Sequence, residues 1–307
     1  MIQTPLGFQV RGDRLLDAAG RDFVMRGVNH GHAWFPDELL PAIRAIAATG
    51  ANTVRVVLST GAQWKRTSGR EVLEILAVCR THRLVAVLEV HDGTEWPEKP
   101  EARPLSEMVD YWLSPDVSEA LRGTEDRVVV NLANEPFGNG VDADTYVTEN
   151  VMAIHRLRAA GYRHCLMVDG ANWGQDWEHL LRRHADEIAA ADPLGNTVFG
   201  VHMYEVYGHR EKVRAYLEAF RGRLPLVVGE FAADHGANGD VDEVAILELC
   251  QEFGIGYLGW SWKGNASPLE GLDIARTWEG ELTPWWRTLV EHPCGIRETS
   301  RSATGIG

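Results

Sequence analysis

The chain has little that would tie it to a membrane, a nucleic acid or a disulfide framework. No run of 18 or more apolar residues occurs in its 307 residues, which leaves no candidate for a membrane-spanning helix. Positive charge is scarce: 30 Lys and Arg against 44 Asp and Glu give a formal charge of −14. That balance argues against nucleic-acid phosphate or an anionic membrane surface as partner and fits a neutral substrate. The four cysteines, Cys79, Cys165, Cys250 and Cys294, are widely spaced with no C-x-x-C pair. A disulfide framework or thiolate metal site therefore has no support, and buried free thiols are expected, since unpaired cysteine behaves as a small hydrophobe. The opening M-I-Q-T-P-L-G-F has neither a basic n-region nor an apolar h-region, so no signal peptide is read there. No linker and no sequence-level repeat is visible.

What is present is alternation. Strand-like apolar runs lie at 22–29, 52–59, 84–91, 127–134, 164–169, 196–204, 224–231 and 255–262, and most are nearly continuous, as in L-V-A-V-L-E-V. Parallel strands covered on both faces need such runs. Helix-period segments fall between them near 37–49, 70–82, 105–122, 142–160, 176–191, 210–222, 241–253 and 283–292. Gly50, Gly161 and Gly254 stand where a left-handed residue ends a helix. Asp240 with Glu243 reads as an N-cap and N3 pair, and Thr283-Pro284 as an N-cap followed by proline at N1. Eight strands alternating with eight helices predict an α/β fold, a single (β/α)₈ TIM barrel over 1–295. The polar tail at 296–307 has little to bury and is expected to fray.

In such a barrel the chemistry collects at the C-terminal ends of the strands. Those ends carry Asn29, His30 and His32, then Arg55, then His91 and Asp92, then Asn134 and Glu135. The later ones carry His202 and Tyr204, Glu230, and Trp260 and Trp262, with Trp173 and Trp177 after the fifth. Core packing does not predict a polar and aromatic crowd at one end only. Glu135 and Glu230 end two separate apolar runs, V-N-L-A-N-E-P and V-V-G-E-F, and a buried carboxylate is costly unless paired or put to use. Two such tips facing one pocket suggest glycoside hydrolysis, where a retaining enzyme sets two carboxyl groups roughly 5–5.5 Å apart.

The surrounding residues fit that chemistry. The nucleophile needs a cation and donors beside it, for which Arg55 and Tyr204 are candidates. A guanidinium embedded in T-V-R-V-V-L must have an anionic partner, and Glu230 is the expected one. His202 fits the setting of the acid, and Asn134 can hold a sugar 2-hydroxyl. Trp260 and Trp262 share one strand face by the two-residue period, and aromatic faces suit sugar C–H surfaces. Glu89 is either a partner of His91 or a barrel-layer residue. Trp112 and Trp286 read as core aromatics.

The ordered set M-R-G-V-N-H-G-H-A-W (25–34), G-A-N-T-V-R-V-V-L (50–58), V-L-E-V-H-D (87–92), D-Y-W (110–112) and N-E-P-F-G-N (134–139) resembles glycoside hydrolase family five. L-M-V-D-G-A-N-W-G-Q-D-W (166–177), H-M-Y (202–204), G-E-F (229–231) and G-W-S-W-K-G-N (259–265) continue it. Within that family the chain is similar to the bacterial endo-β-1,4-mannanases. The resemblance implies Glu135 as acid/base and Glu230 as nucleophile, acting on internal bonds of mannan, glucomannan and galactomannan. It implies Arg55, His91, Asn134, His202, Tyr204 and Trp260 as the shell around the cleaved sugar, with Trp262 as the alternative stacking residue; the strand ends add His30 and Trp173 as further candidate contacts. It also implies a secreted protein whose signal peptide has been removed, a monomer that needs no cofactor. Some similar enzymes hold calcium before the seventh helix. Here the acidic run Asp240, Asp242, Glu243 gives way to Val244, one ligand short, so a structural calcium is the only metal the resemblance raises.

Three rivals stand beside this reading: a family-five β-1,4-glucanase, a metal-dependent barrel hydrolase built on His30, His32, His91 and His202, and a sugar-binding barrel without catalysis. Asn265-Ala-Ser267 matches a glycosylation sequon by pattern only.

Overall fold

Valine-rich runs become parallel strands buried on both faces. In the computed structural model, which describes residues 7–305, a short antiparallel hairpin, β1 (Gln9–Arg11) with β2 (Arg14–Leu16), precedes a closed eight-stranded barrel. Its strands are β3 (Arg26–His30), β4 (Thr53–Leu58), β5 (Val85–Val90), β6 (Val128–Asn131), β7 (Cys165–Asp169), β8 (Thr197–Met203), β9 (Leu226–Phe231) and β10 (Gly256–Gly259). They pair in chain order, and β10 closes on β3. This is the (β/α)₈ barrel that the alternation predicts.

The helices that cover it are α1 (Leu39–Ala48), α2 (Gly69–Thr81), α3 (Leu105–Leu113), α4 (Pro115–Leu121), α5 (Ala143–Ala159), α6 (Leu180–Ala191), α7 (Arg210–Glu218), α8 (Glu243–Phe253), α9 (Pro284–Glu291) and α10 (Ile296–Thr299). Gly50, Gly161 and Gly254 have φ of 95°, 91° and 70°, as the helix-ending role requires. Thr283 caps α9 by accepting from Trp286 N, with Pro284 behind it.

Three expectations are corrected. The segment 105–122 is two helices, because Ser114 turns extended ahead of Pro115, whose ring disfavours helical backbone before it. The N-cap of α8 is Asp242, accepting from Ala245 N, rather than Asp240. Over its described residues, 296–305, the tail is packed rather than frayed; 306–307 lie outside the described residues. Ile296–Thr299 is helical, Ala303 is buried, Arg301 O accepts from Asn52 Nδ2 at 2.8 Å, and Thr304 N donates to Asp17 Oδ2 at 2.8 Å.

Alternation across each strand places the site. Val54, Val56 and Leu58 face the helices and join the outer core, which leaves Arg55 pointing to the axis. On β5, Val85 and Val87 join the inner core, so Glu89, two residues on, is the next inward position. The same step leads from Val129 to Asn131 on β6 and from Met167 to Asp169 on β7. The lower barrel is filled by Met25, Val85, Val87, Val129, Met167, Val198, Val227 and Leu258, and Phe8 and Phe23 pack beneath them. Its inward residues turn from apolar to polar on moving toward the C-terminal end.

The cysteines are free, with Cys79, Cys165 and Cys250 buried and Cys294 half-buried. Trp112 and Trp286 are buried in the core as expected.

Candidate active site

Arg55 is the hub. Fully buried on β4, it donates from Nη1 to Glu230 Oε1 at 2.7 Å and to Asn29 Oδ1 at 3.0 Å. Its Nη2 reaches Asn134 Oδ1 at 2.7 Å and Asp169 Oδ2 at 3.4 Å, while Nε reaches Asn131 Oδ1 at 3.0 Å. Burial would discharge the guanidinium, but Glu89, Glu230 and Asp169 around it hold it charged. Leaving a buried charge with no partner costs about 3–5 kcal/mol, so this cation is held by several anions and fixes the positions of the groups it touches.

Glu230, on β9, is gripped at both oxygens: Oε1 by Arg55, and Oε2 by the Tyr204 hydroxyl at 2.8 Å. Burial raises its carboxyl above the ordinary glutamate value, against the charges of His202 and Arg55. Two charge-assisted bonds to the anion leave it as the carboxyl that ionises first. Glu135 follows β6 by a short excursion, Leu132 to Asn134, and its own φ is 41°, a left-handed conformation that a non-glycine residue adopts at a cost of about 1–3 kcal/mol. Its carboxyl has no guanidinium contact and its Oε1 meets His202 Nδ1 at 2.6 Å. Burial pushes it up to about 8, with the charge of His91 opposing. One oxygen from each glutamate and the His202 nitrogen lie within 4.8 Å of one another. Environment has thus separated the two carboxyls into an anion and an acid.

His202 is aimed by a register shift in β8 at Val201/His202 and by Gly174 above it. His202 N donates to Gly174 O at 2.8 Å, and a Cβ on Gly174 (φ +70°) would come within 2.6 Å of the imidazole Cγ. Only glycine fits there. His91 bonds Glu89 Oε1 through Nδ1 at 3.0 Å. Burial alone would hold this ring low, but the Glu89 charge and hydrogen bond raise it. Glu89 is therefore a partner of His91 and also an inner-layer residue. Asn134 gives its carbonyl to Arg55 and its amide to Thr94 Oγ1 at 2.9 Å.

One wall is aromatic. Trp260 stacks on His91 at 5.9 Å and 22°, and Trp34 meets His91 edge-on at 5.0 Å and Trp64 at 5.5 Å. Asp92 serves that wall. Its buried carboxylate accepts from Thr60 N and Gln63 N at 2.8 Å each and from Ser59 Oγ at 3.0 Å, folding the loop that carries Trp64.

Several expected contacts lie elsewhere. Trp262 is not on the cleft wall: β10 ends at Gly259, so the two-residue period lapses, and Trp262 is fully buried with Nε1 on Trp278 O at 3.0 Å. His30 is also fully buried, its ring edge-on to Trp278. Trp173 and Trp177 sit exposed on the rim, Trp173 tied to Glu98 Oε2 at 2.7 Å. Asn265 spends its side chain inside the protein, donating to Asp273 Oδ1 at 2.7 Å and accepting from Trp260 Nε1 at 3.1 Å, which removes the sequon reading. Among the described residues, the one cluster close enough to hold a metal is Glu135, His202 and Glu230, so neither His30 with His32 nor Asp240 with Asp242 and Glu243 belongs to such a group.

Sequence reasoning missed Asp169, Asn131, Trp34 and Trp64. Asp169 carried the signal already used for the two glutamates, an acid ending an apolar run, L-M-V-D. It accepts from Asn131 Nδ2 at 3.0 Å and from Glu135 N at 3.3 Å, joining the acid to the Arg55 network.

Comparison with known proteins bears on the family and the fold. The profile of the family described as Cellulase (glycosyl hydrolase family 5) matches residues 16–266. A mannan endo-1,4-beta-mannosidase of Cellvibrio japonicus (strain Ueda107) is 49% identical over 308 residues, covering 100% of this chain and 71% of the relative. One of Salipaludibacillus agaradhaerens is 42% identical, covering 97% and 95%. The solved beta-mannanase from Thermomonospora fusca superposes with a TM-score of 0.94 at 42% identity, covering 98% of this chain and 99% of that one. A beta-glucanase from Saccharophagus degradans, at 16% identity and a TM-score of 0.73, shares the fold alone. The chain thus has relatives along its full length, and it belongs to glycosyl hydrolase family 5 as a glycoside hydrolase.

Proposed function

We propose that the chain is an endo-acting retaining mannanase, cutting internal β-1,4-mannosidic bonds of mannan, glucomannan and galactomannan by double displacement. One observation carries it: carboxyl oxygens of Glu135 and Glu230 within 4.8 Å of each other. That spacing suits a nucleophile and an acid on one glycosidic bond, where roughly 5–5.5 Å is typical, and is too short for the roughly 6.5–9.5 Å that an inverting enzyme needs. The full-length mannosidase relatives support mannan over glucan.

Glu230, ionised beside Arg55, attacks the anomeric carbon while Glu135 protonates the leaving oxygen. The bond to the leaving sugar breaks as the glycosyl ester forms. Glu135, now an anion, takes a proton from water, which attacks the same carbon and frees Glu230. Asn134, held with its carbonyl on Arg55, is placed against the sugar ring with Trp260, His91 and Tyr204 around it. No step requires a cofactor. A calcium ion has no part in the reading, since Asp242 is engaged in capping α8. A polymer too large to enter a cell favours secretion, and the protein acts as a monomer.

Product analysis on pure mannan, galactomannan and carboxymethyl-cellulose tests the substrate. Early release of mixed-length manno-oligosaccharides, with the β-anomer formed first by NMR, is expected. Faster cleavage of the cellulose derivative would favour the glucanase reading, and α-anomer product would end the retaining one.

The pH profile follows from the two carboxyls. The acid must hold its proton, so kcat/KM should fall as pH rises through about 8, the value for Glu135. The nucleophile must be ionised, so the acidic limb should lie above the ordinary glutamate value, because Glu230 is raised. A basic limb that persists unchanged in Glu135→Gln would contradict the assignment.

A further inference from the structure

The Tyr204 hydroxyl holds the nucleophile, and two loops meet to hold Tyr204. Tyr204 and Glu205 leave β8, while His235 lies in the segment that follows β9. The rings of Tyr204 and His235 stack at 4.4 Å and 26°. The imidazole is pinned in turn, its Nδ1 lying 2.6 Å from Glu205 Oε2. Glu205 Oε1 accepts from Gln175 Nε2 at 3.1 Å, and Tyr207 donates to Gln175 O at 2.7 Å. The loop is shaped to bring His235 there: His235 N donates to Gly239 O at 3.0 Å, and a Cβ on Gly239 (φ +141°) would come within 2.9 Å of Glu205 Cβ.

A phenol with a single hydroxyl contact is located by what covers its ring. A greasy residue could cover it, but a histidine held by a carboxylate does more, because the bond fixes the plane against which the phenol lies. We propose that His235, anchored by Glu205, is a positioning residue that keeps the Tyr204 hydroxyl on the Glu230 carboxylate. The inference rests on the glycosidase reading above, and nothing in it requires His235 to touch substrate.

The consequence concerns the anion. The groups facing Glu230 are Arg55, Tyr204, His202, Glu135 and His91. Of these, Tyr204 depends on the neighbouring loop for its position. A hydrogen bond to the charged form favours it, so a wandering Tyr204 makes Glu230 harder to ionise.

The test uses the whole protein and an aryl β-manno-oligoside. His235→Ala should lower kcat about tenfold, with KM within about twofold, and move the acidic limb of kcat/KM upward by about half a unit to one unit. Tyr204→Phe should move that limb in the same direction, and adding His235→Ala to it should move it no further. His235→Phe, which keeps the stack without the anchor, should recover part of the loss. An unmoved limb, additive effects in the double variant, or a change confined to KM would overturn the proposal. Should His235→Ala fail to fold, Glu205→Gln carries the same readout with the ring retained. A parent that hydrolyses mannan while these variants keep its acidic limb defeats this inference alone; a parent without hydrolysis defeats the earlier reading.

Discussion

Glu230→Ala is expected to abolish turnover, lowering kcat by about 10⁴-fold or more, while leaving the fold and substrate binding largely intact. The residue lies at the end of β9, its two oxygens occupied by Arg55 and Tyr204, so on the proposed mechanism its removal deletes the group placed to form the glycosyl ester. Azide can enter the emptied space. With an activated aryl mannoside it should bond to the anomeric carbon as the aryl oxide leaves, giving the inverted α-azide. Activity within tenfold of the parent, or a β-azide, would defeat the assignment. The stability cost should be modest for a reason specific to this site. Arg55 loses one anion but keeps Asp169 at 3.4 Å and Glu89 at 3.8 Å, so the guanidinium is not left unpaired.

Glu135→Gln should divide substrates by leaving group. Acid assistance contributes typically about 10²–10⁴-fold, so hydrolysis of natural mannan should fall by about 10³-fold. An aryl mannoside whose leaving group needs no proton should lose little in the first step. Its second step needs the base, so the glycosyl-enzyme should accumulate and show as a burst of aryl oxide. Equal losses on both substrates, or no burst, would count against Glu135 as acid/base. His202 is the group most affected by this change, because its Nδ1 lies 2.6 Å from Glu135 Oε1. An amide there still offers an oxygen, so the imidazole should stay in place.

Much of this was legible in the chain order. Continuous apolar runs between amphipathic segments specify parallel strands covered on both faces, and a barrel follows from their number and spacing. Polar residues at one end of those runs announced the site, because a buried Arg55 or Glu230 has no packing explanation. Legibility failed where a strand stopped. The two-residue alternation that would carry Trp262 to the cleft ends with β10 at Gly259, and the side chain lies in the core. His30 stands at a strand end, yet it is fully buried with its ring edge-on to Trp278. The polarity of the tail suggests fraying, whereas its backbone is bonded to Asn52 through Arg301 O and to Asp17 through Thr304 N.

The sequence by itself determined the architecture and the two carboxyl tips, since periodicity and the cost of a buried charge act locally along the chain. The division of labour between the tips was decided by the tertiary structure. Glutamate has one intrinsic pKa, and what separates Glu135 from Glu230 is which of them the fold sets against Arg55 and Tyr204. Those contacts join residues up to 175 positions apart, and no local pattern encodes them.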